Sequence, residues 1–90
     1  MSFPGVTIND PVYIEDGVTV ERSVVGPNVS LERGTRVADS HLANTIVGQD
    51  ARIVRSELNG ALLGNQVVVE GLRGSATLAD HSEVTVPPSS

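Results

Sequence analysis

The sequence predicts an all-β solenoid, in which short parallel strands wind into triangular coils. Three observations predict it. Large aliphatic residues recur every five or six positions: Ile8, Ile14, Val20, Val25, Leu31, Val37, Leu42, Val47, Ile53, Leu58, Leu63 and Val69. From Ile14 onward, the residue two before each anchor is always Val, Thr, Ser or Ala, from Val12 and Val18 through Ser23, Thr35 and Ser40 to Val67. A strand needs this, because side chains at i and i+2 share one face. Finally, turn residues interrupt the chain every few positions, and no 3.6-residue apolar stripe persists over three helical turns.

Three hexads make one coil. The spacing from Ile8 to Val25 is 17 residues, from Val25 to Leu42 is 17, and from Leu42 to Leu58 is 16. Stacked coils then align Ile8, Val25, Leu42 and Leu58 in one inward column. Ile14, Leu31, Val47 and Leu63 form the second, and Val20, Val37, Ile53 and Val69 the third. Ser23, Ser40 and Ser56 fall where inward space is tightest. Gly17, Asn28, Gly34 and Asp50 fall at bends, where positive φ is tolerated. No coil buries its apolar face alone, so each must stack on the next, about 4.8 Å away. The pattern predicts three to four coils over residues 8–74. Residues 1–7 are expected to form an N-terminal cap. Residues 75–90 are expected to form a C-terminal capping tail, frayed at its end, with Leu78 and Val84 as its buried contacts.

Composition narrows the function. Ninety residues make one small domain. The chain has no cysteine, hence neither a disulfide nor a thiolate metal site. Its net charge of −5, with arginine as the only strong cation, and its two aromatic residues, Phe3 and Tyr13, argue against nucleic acid and anionic membranes. No apolar run approaches the roughly 20 residues of a membrane span, and no signal-peptide pattern follows Met1. A cytoplasmic protein is expected.

The repeat, an aliphatic residue followed four positions later by Ser, Thr, Ala or Val, resembles the hexapeptide repeat of left-handed parallel β-helices. The left hand is implied by that resemblance alone. A narrower likeness lies in Pro11-Val-Tyr-Ile-Glu-Asp-Gly-Val-Thr-Val-Glu-Arg-Ser-Val-Val-Gly-Pro-Asn-Val-Ser30. This segment resembles the C-terminal β-helix of long-form glucose-1-phosphate thymidylyltransferases, which are sugar-nucleotide pyrophosphorylases. Gly74-Ser-Ala-Thr-Leu-Ala-Asp-His-Ser-Glu-Val84 is similar to the tail closing that family's chains. The resemblance implies a non-catalytic assembly or regulatory domain, with a nucleotidyltransferase catalytic domain in a parent chain. That family's Gly-rich nucleotide loop and acidic metal ligands have no counterpart here, so the 90 residues are expected to be no enzyme, with no catalytic, cofactor or metal residues. The alternative is a minimal hexapeptide-repeat acyltransferase.

Under that alternative, His41 carries the chemistry. It precedes anchor Leu42, points outward between Val24 and Glu57, and at a subunit boundary would be placed to act as a general base. The competing account is a surface histidine beside a carboxylate. A zinc site like that of γ-class carbonic anhydrases needs three histidines, and only His41 and His81 exist. Asp80-His81-Ser82 holds triad letters, but consecutive residues do not converge. Arg22, Asp39 and Arg55 form a column of alternating charge, and Asp16 lies beside Arg33, so ion pairs between coils are expected. Arg36 and Arg52 stack like on like, and either hold an anion or are answered by nearby glutamates.

The outward column Tyr13, Ser30, Ile46 and Leu62 sets large apolar side chains where water should be. Tyr13, Ile46 and Leu62 are therefore expected at a homo-oligomer interface, with a trimer favoured by the hexapeptide resemblance and a dimer open.

Overall fold

A computed structural model describes residues 5–87. It is a left-handed parallel β-helix built from strands of two or three residues. Three five-stranded parallel sheets form the sides of a prism. The first holds β1 (Thr7–Ile8), β4 (Val24–Val25), β7 (His41–Ala43), β10 (Glu57–Asn59) and β13 (Arg73–Gly74). The second holds β2 (Val12–Ile14), β5 (Val29–Leu31), β8 (Ile46–Val47), β11 (Leu62–Leu63) and β14 (Thr77–Leu78). The third holds β3 (Thr19–Glu21), β6 (Arg36–Ala38), β9 (Arg52–Val54), β12 (Val68–Glu70) and β15 (Glu83–Thr85).

The register follows the hexads. Val25 pairs with Leu42 and Leu42 with Leu58, Leu31 pairs with Val47 and Val47 with Leu63, and Val37 pairs with Ile53 and Ile53 with Val69. Anchors from Val20 to Val69 are buried, as are the small residues two before them from Val18 to Val67. Ile8 is exposed at 38% and Ile14 half-buried, because among the described residues β1 and β2 are the end rungs of their sheets. The expected cap at residues 1–7 lies partly outside the described residues, although Val6 packs against the core and Thr7 already pairs with Val24.

There are five coils, against the three to four expected. The segment after Ser75 adds a further rung to two sheets, with Leu78 on Leu63 and Val84 on Val69. Two features hide this coil from a hexad search. Its first inward position is Gly74, paired with Leu58, and the steps from Leu63 to Leu78 and from Val69 to Val84 have shortened to 15 residues. Leu78 and Val84 do turn inward, half-buried because among the described residues β14 and β15 are the end rungs of their sheets.

Backbone groups at the corners are satisfied by side chains. The Ser23 hydroxyl oxygen accepts the N–H of Ser40, that of Ser40 accepts the N–H of Ser56, and that of Ser56 accepts the N–H of Leu72, at 3.1, 3.1 and 3.2 Å. Each hydroxyl in turn donates to a carbonyl two residues upstream. Among the described residues no buried side-chain polar atom lacks a partner, as a narrow interior without room for water requires.

Close packing of corners fixes Gly64. A β-carbon there would lie 2.7 Å from the Asp80 nitrogen and closer still to its carboxylate. That carboxylate accepts the N–H of Asn65 at 2.8 Å. The Asp80-His81-Ser82 run is thus a corner of the fifth coil, with the His81 N–H donated to the Asn65 carbonyl at 2.9 Å.

Candidate functional site

The parallel ladder of the first sheet places His41 outward on β7, between Val24 of β4 and Glu57 of β10, with Arg73 of β13 beyond. Alternation decides this: Leu42 is buried, so its neighbour must face solvent. His41 borders a shallow trough of about 340 Å³, whose polar rim also carries Glu57 and Asn59 and whose ends are opened by Gly26 and Gly74. Among the described residues the His41 imidazole has no ion-pair partner, because the Glu57 carboxylate turns away to Arg73, 3.3 Å from its Nε. Asn59 is held by a side-chain ladder: Asn28 Nδ2 donates to Asn44 Oδ1 at 3.0 Å, and Asn44 Nδ2 to Asn59 Oδ1 at 3.1 Å. The recurrence of asparagine at residues 28, 44 and 59, one coil apart, is the sequence signal for that ladder.

The structure keeps Tyr13, Ile46 and Leu62 in one row on the second sheet, through the pairs Tyr13–Ser30, Ser30–Ile46 and Ile46–Leu62. They are 64%, 50% and 47% exposed, more than other large apolar side chains of the described residues. A hollow of about 540 Å³ beside Ile46 and Leu62 extends down to Asp80.

Charged columns depart from expectation in two places. Arg22 does pair with Asp39, with Nε to Oδ1 at 2.7 Å and Nη2 to Oδ2 at 3.1 Å. Hydrogen bonding from Arg22 holds the Asp39 carboxyl below the usual carboxylate range. Arg55, however, reaches Glu70 at 2.8 Å and leaves Asp39 to Arg22. No ion pair joins Asp16 to Arg33; instead the Arg33 N–H donates to Glu15 Oε1 at 3.0 Å. Arg36 and Arg52 stand side by side on β6 and β9. Among the described residues no three groups of the metal-ligating type converge, and no helix is long and apolar enough to cross a membrane.

No family model matches the chain, and neither does any curated protein. The resemblance of residues 11–30 and 74–84 to thymidylyltransferase tails therefore has no counterpart in those comparisons. Among solved structures, the chain is similar to a mutant GDP-perosamine N-acetyl transferase from Caulobacter crescentus, in complex with CoA and GDP-perosamine. The two are 16% identical over 97% of this chain, with a TM-score of 0.32. The chain spans 53% of that structure's length, about half. The expectation that the 90 residues are no enzyme is corrected by this comparison, since that solved structure is an N-acetyl transferase.

Proposed function

We propose that the chain is a hexapeptide-repeat acyltransferase unit, in which His41 acts as general base at a boundary between copies. The observation that carries this is the unpartnered, outward imidazole of His41 on the rim of the first sheet's trough. A base must have a lone pair free to take a proton, and histidine is the side chain most often used for that step. An imidazole nitrogen of His41 takes the proton of an acceptor hydroxyl or amine as the acceptor attacks an acyl thioester. The carbon–sulfur bond breaks, and the thiolate leaves with the proton that His41 has taken up. The trough of one copy is open, so the chemistry needs a second wall to exclude water.

The apolar row supports that wall. Tyr13, Ile46 and Leu62 are already partly covered, so burying the rest contributes about 1 kcal/mol for each side chain, and Tyr is among the residue types that dominate association. A closed trimer of prisms sets the second sheet of one copy near a neighbour's first sheet and brings the row beside His41. On this reading the chain works in the cytoplasm with acetyl-CoA as acyl donor.

The test is thiol release from acetyl-CoA with a panel of amine and hydroxyl acceptors. Wild type turns over, whereas His41→Ala and His41→Gln lose at least a hundredfold in kcat with the oligomer intact, as removal of a general base does. Unchanged turnover in His41→Ala contradicts the proposal. A second reading is favoured by the same apolar row: an assembly domain of the thymidylyltransferase type, positioning subunits of a larger protein. It is left standing if the chain oligomerises through Ile46 and Leu62 yet binds no CoA.

A further inference from the structure

We infer that Arg36 and Arg52 form a binding site for a phosphate-class dianion on the third sheet, a face separate from His41. The outward ladder of that sheet runs Thr19, Arg36, Arg52, Val68 and Glu83 in register. Two arginines therefore occupy directly opposed positions on adjacent coils, with backbones about 4.8 Å apart. Like charges so placed repel and destabilise a sheet.

The chain answers its other stacked arginines with carboxylates: Arg22 meets Asp39, Arg55 meets Glu70 and Arg73 meets Glu57. Among the described residues, Arg36 and Arg52 have no such partner. The hollow of about 360 Å³ that they line is floored by Ala38 and Val54 and contains one carboxylate, Glu21, which lies 3.4 Å from Arg22 Nη1. Thr19 closes one end with a hydroxyl. A chain with a net charge of −5 thus keeps an uncompensated double positive charge on a rigid, partly apolar surface.

Guanidiniums are planar forks that bind phosphate oxygens in pairs, and two of them one coil apart can grip a tetrahedral dianion from both sides. Binding converts the repulsion into two charge-assisted contacts. A free phosphate, a phosphomonoester and a diphosphate share this chemistry. The site is independent of the acyl-transfer reading, since it uses none of the residues of the first sheet.

The experiment measures the thermal unfolding midpoint of the full chain against sodium phosphate and sodium pyrophosphate, with sodium chloride at matched ionic strength as reference. The midpoint is expected to rise and saturate with the dianions only. Arg36→Gln and Arg52→Gln each weaken the apparent affinity about tenfold or more, and Arg33→Gln, an exposed arginine elsewhere, leaves it unchanged. Without anion, Arg52→Gln is expected to unfold at or above the wild-type midpoint, because the repulsion is gone. Saturation by pyrophosphate alone assigns a diphosphate, and equal saturation by both assigns a monophosphate. A rise no larger than that in chloride, or one that survives in the Arg36→Gln/Arg52→Gln double variant, overturns the inference.

Discussion

The backbone N–H of Ser56 donates to the hydroxyl oxygen of Ser40 at 3.1 Å, and the Ser40 hydroxyl donates its own hydrogen bond to the carbonyl of Ala38 at 2.8 Å. Each serine of this column thus satisfies the coil above it and its own corner together. Replacing Ser40 with Ala leaves a buried N–H without a partner, a loss of about 1–3 kcal/mol. Urea denaturation should show a lowered midpoint with little change in slope. An unaltered midpoint would mean that the corner re-forms its bonds without the hydroxyl.

Inward anchors should matter far more than outward charges. Val47 is fully buried between Leu31 and Leu63, so Val47→Asp places an unpaired carboxylate in the core and costs several kcal/mol, on the order of 4 or more. Arg33→Ala, at an exposed corner, should stay within about 0.5 kcal/mol of wild type. Circular dichroism melts of the two variants make the comparison directly.

Gly64→Ala tests the contact between corners. Its β-carbon meets the Asp80 backbone nitrogen at 2.7 Å, and a backbone neighbour cannot swing aside as a side-chain tip can. Overpacking of this kind costs about 1–3 kcal/mol. Gly60→Ala lacks that clash, with its nearest neighbour at 4.0 Å, and carries only the strain of its positive φ. Equal hydrogen exchange of the fifth-coil amides in wild type and Gly64→Ala would contradict the packing account.

The Arg22–Asp39 pair predicts a pH effect of known sign. The folded-state pKa of Asp39 is lowered, first by the hydrogen bond from Arg22 and then by its charge. The pair therefore contributes above the unfolded-state pKa of the carboxyl, and its contribution is lost as pH falls through the lower folded-state value. Asp39→Asn should flatten that part of the acid stability profile. Carboxyl chemical shifts followed by NMR should show Asp39 titrating below the usual carboxylate range.

Most of the solenoid is legible in the sequence because burial has period two along each rung and one coil per three hexads. Spacing alone aligns Val25, Leu42 and Leu58, and with them the outward neighbours Val24, His41 and Glu57. Gly17, Asn28, Gly34 and Asp50 were legible as bends, and all four have positive φ. Arg22 and Arg55 also adopt positive φ, but arginine carries no turn signal, so those corners were unmarked. The fifth coil was missed because Gly74 takes an anchor position. The choice of Glu70 over Asp39 by Arg55 depends on the reach of a flexible side chain across an exposed corner, which residue spacing does not encode. For the site, sequence places His41 outward, and residue spacing carries no more than that.

The central claim, acyl transfer at a His41 trough completed by a neighbouring copy, is tested most directly by one comparison. Acetyl-CoA turnover and sedimentation are measured side by side for wild type and for Ile46→Glu/Leu62→Glu, which charges the apolar row without touching the His41 face. The account predicts an oligomeric, active wild type and a folded, monomeric double variant whose kcat/KM falls at least a hundredfold, because an open trough no longer excludes water or holds the donor. A monomeric variant that keeps wild-type turnover, or an oligomeric wild type that neither binds nor consumes acetyl-CoA, contradicts it.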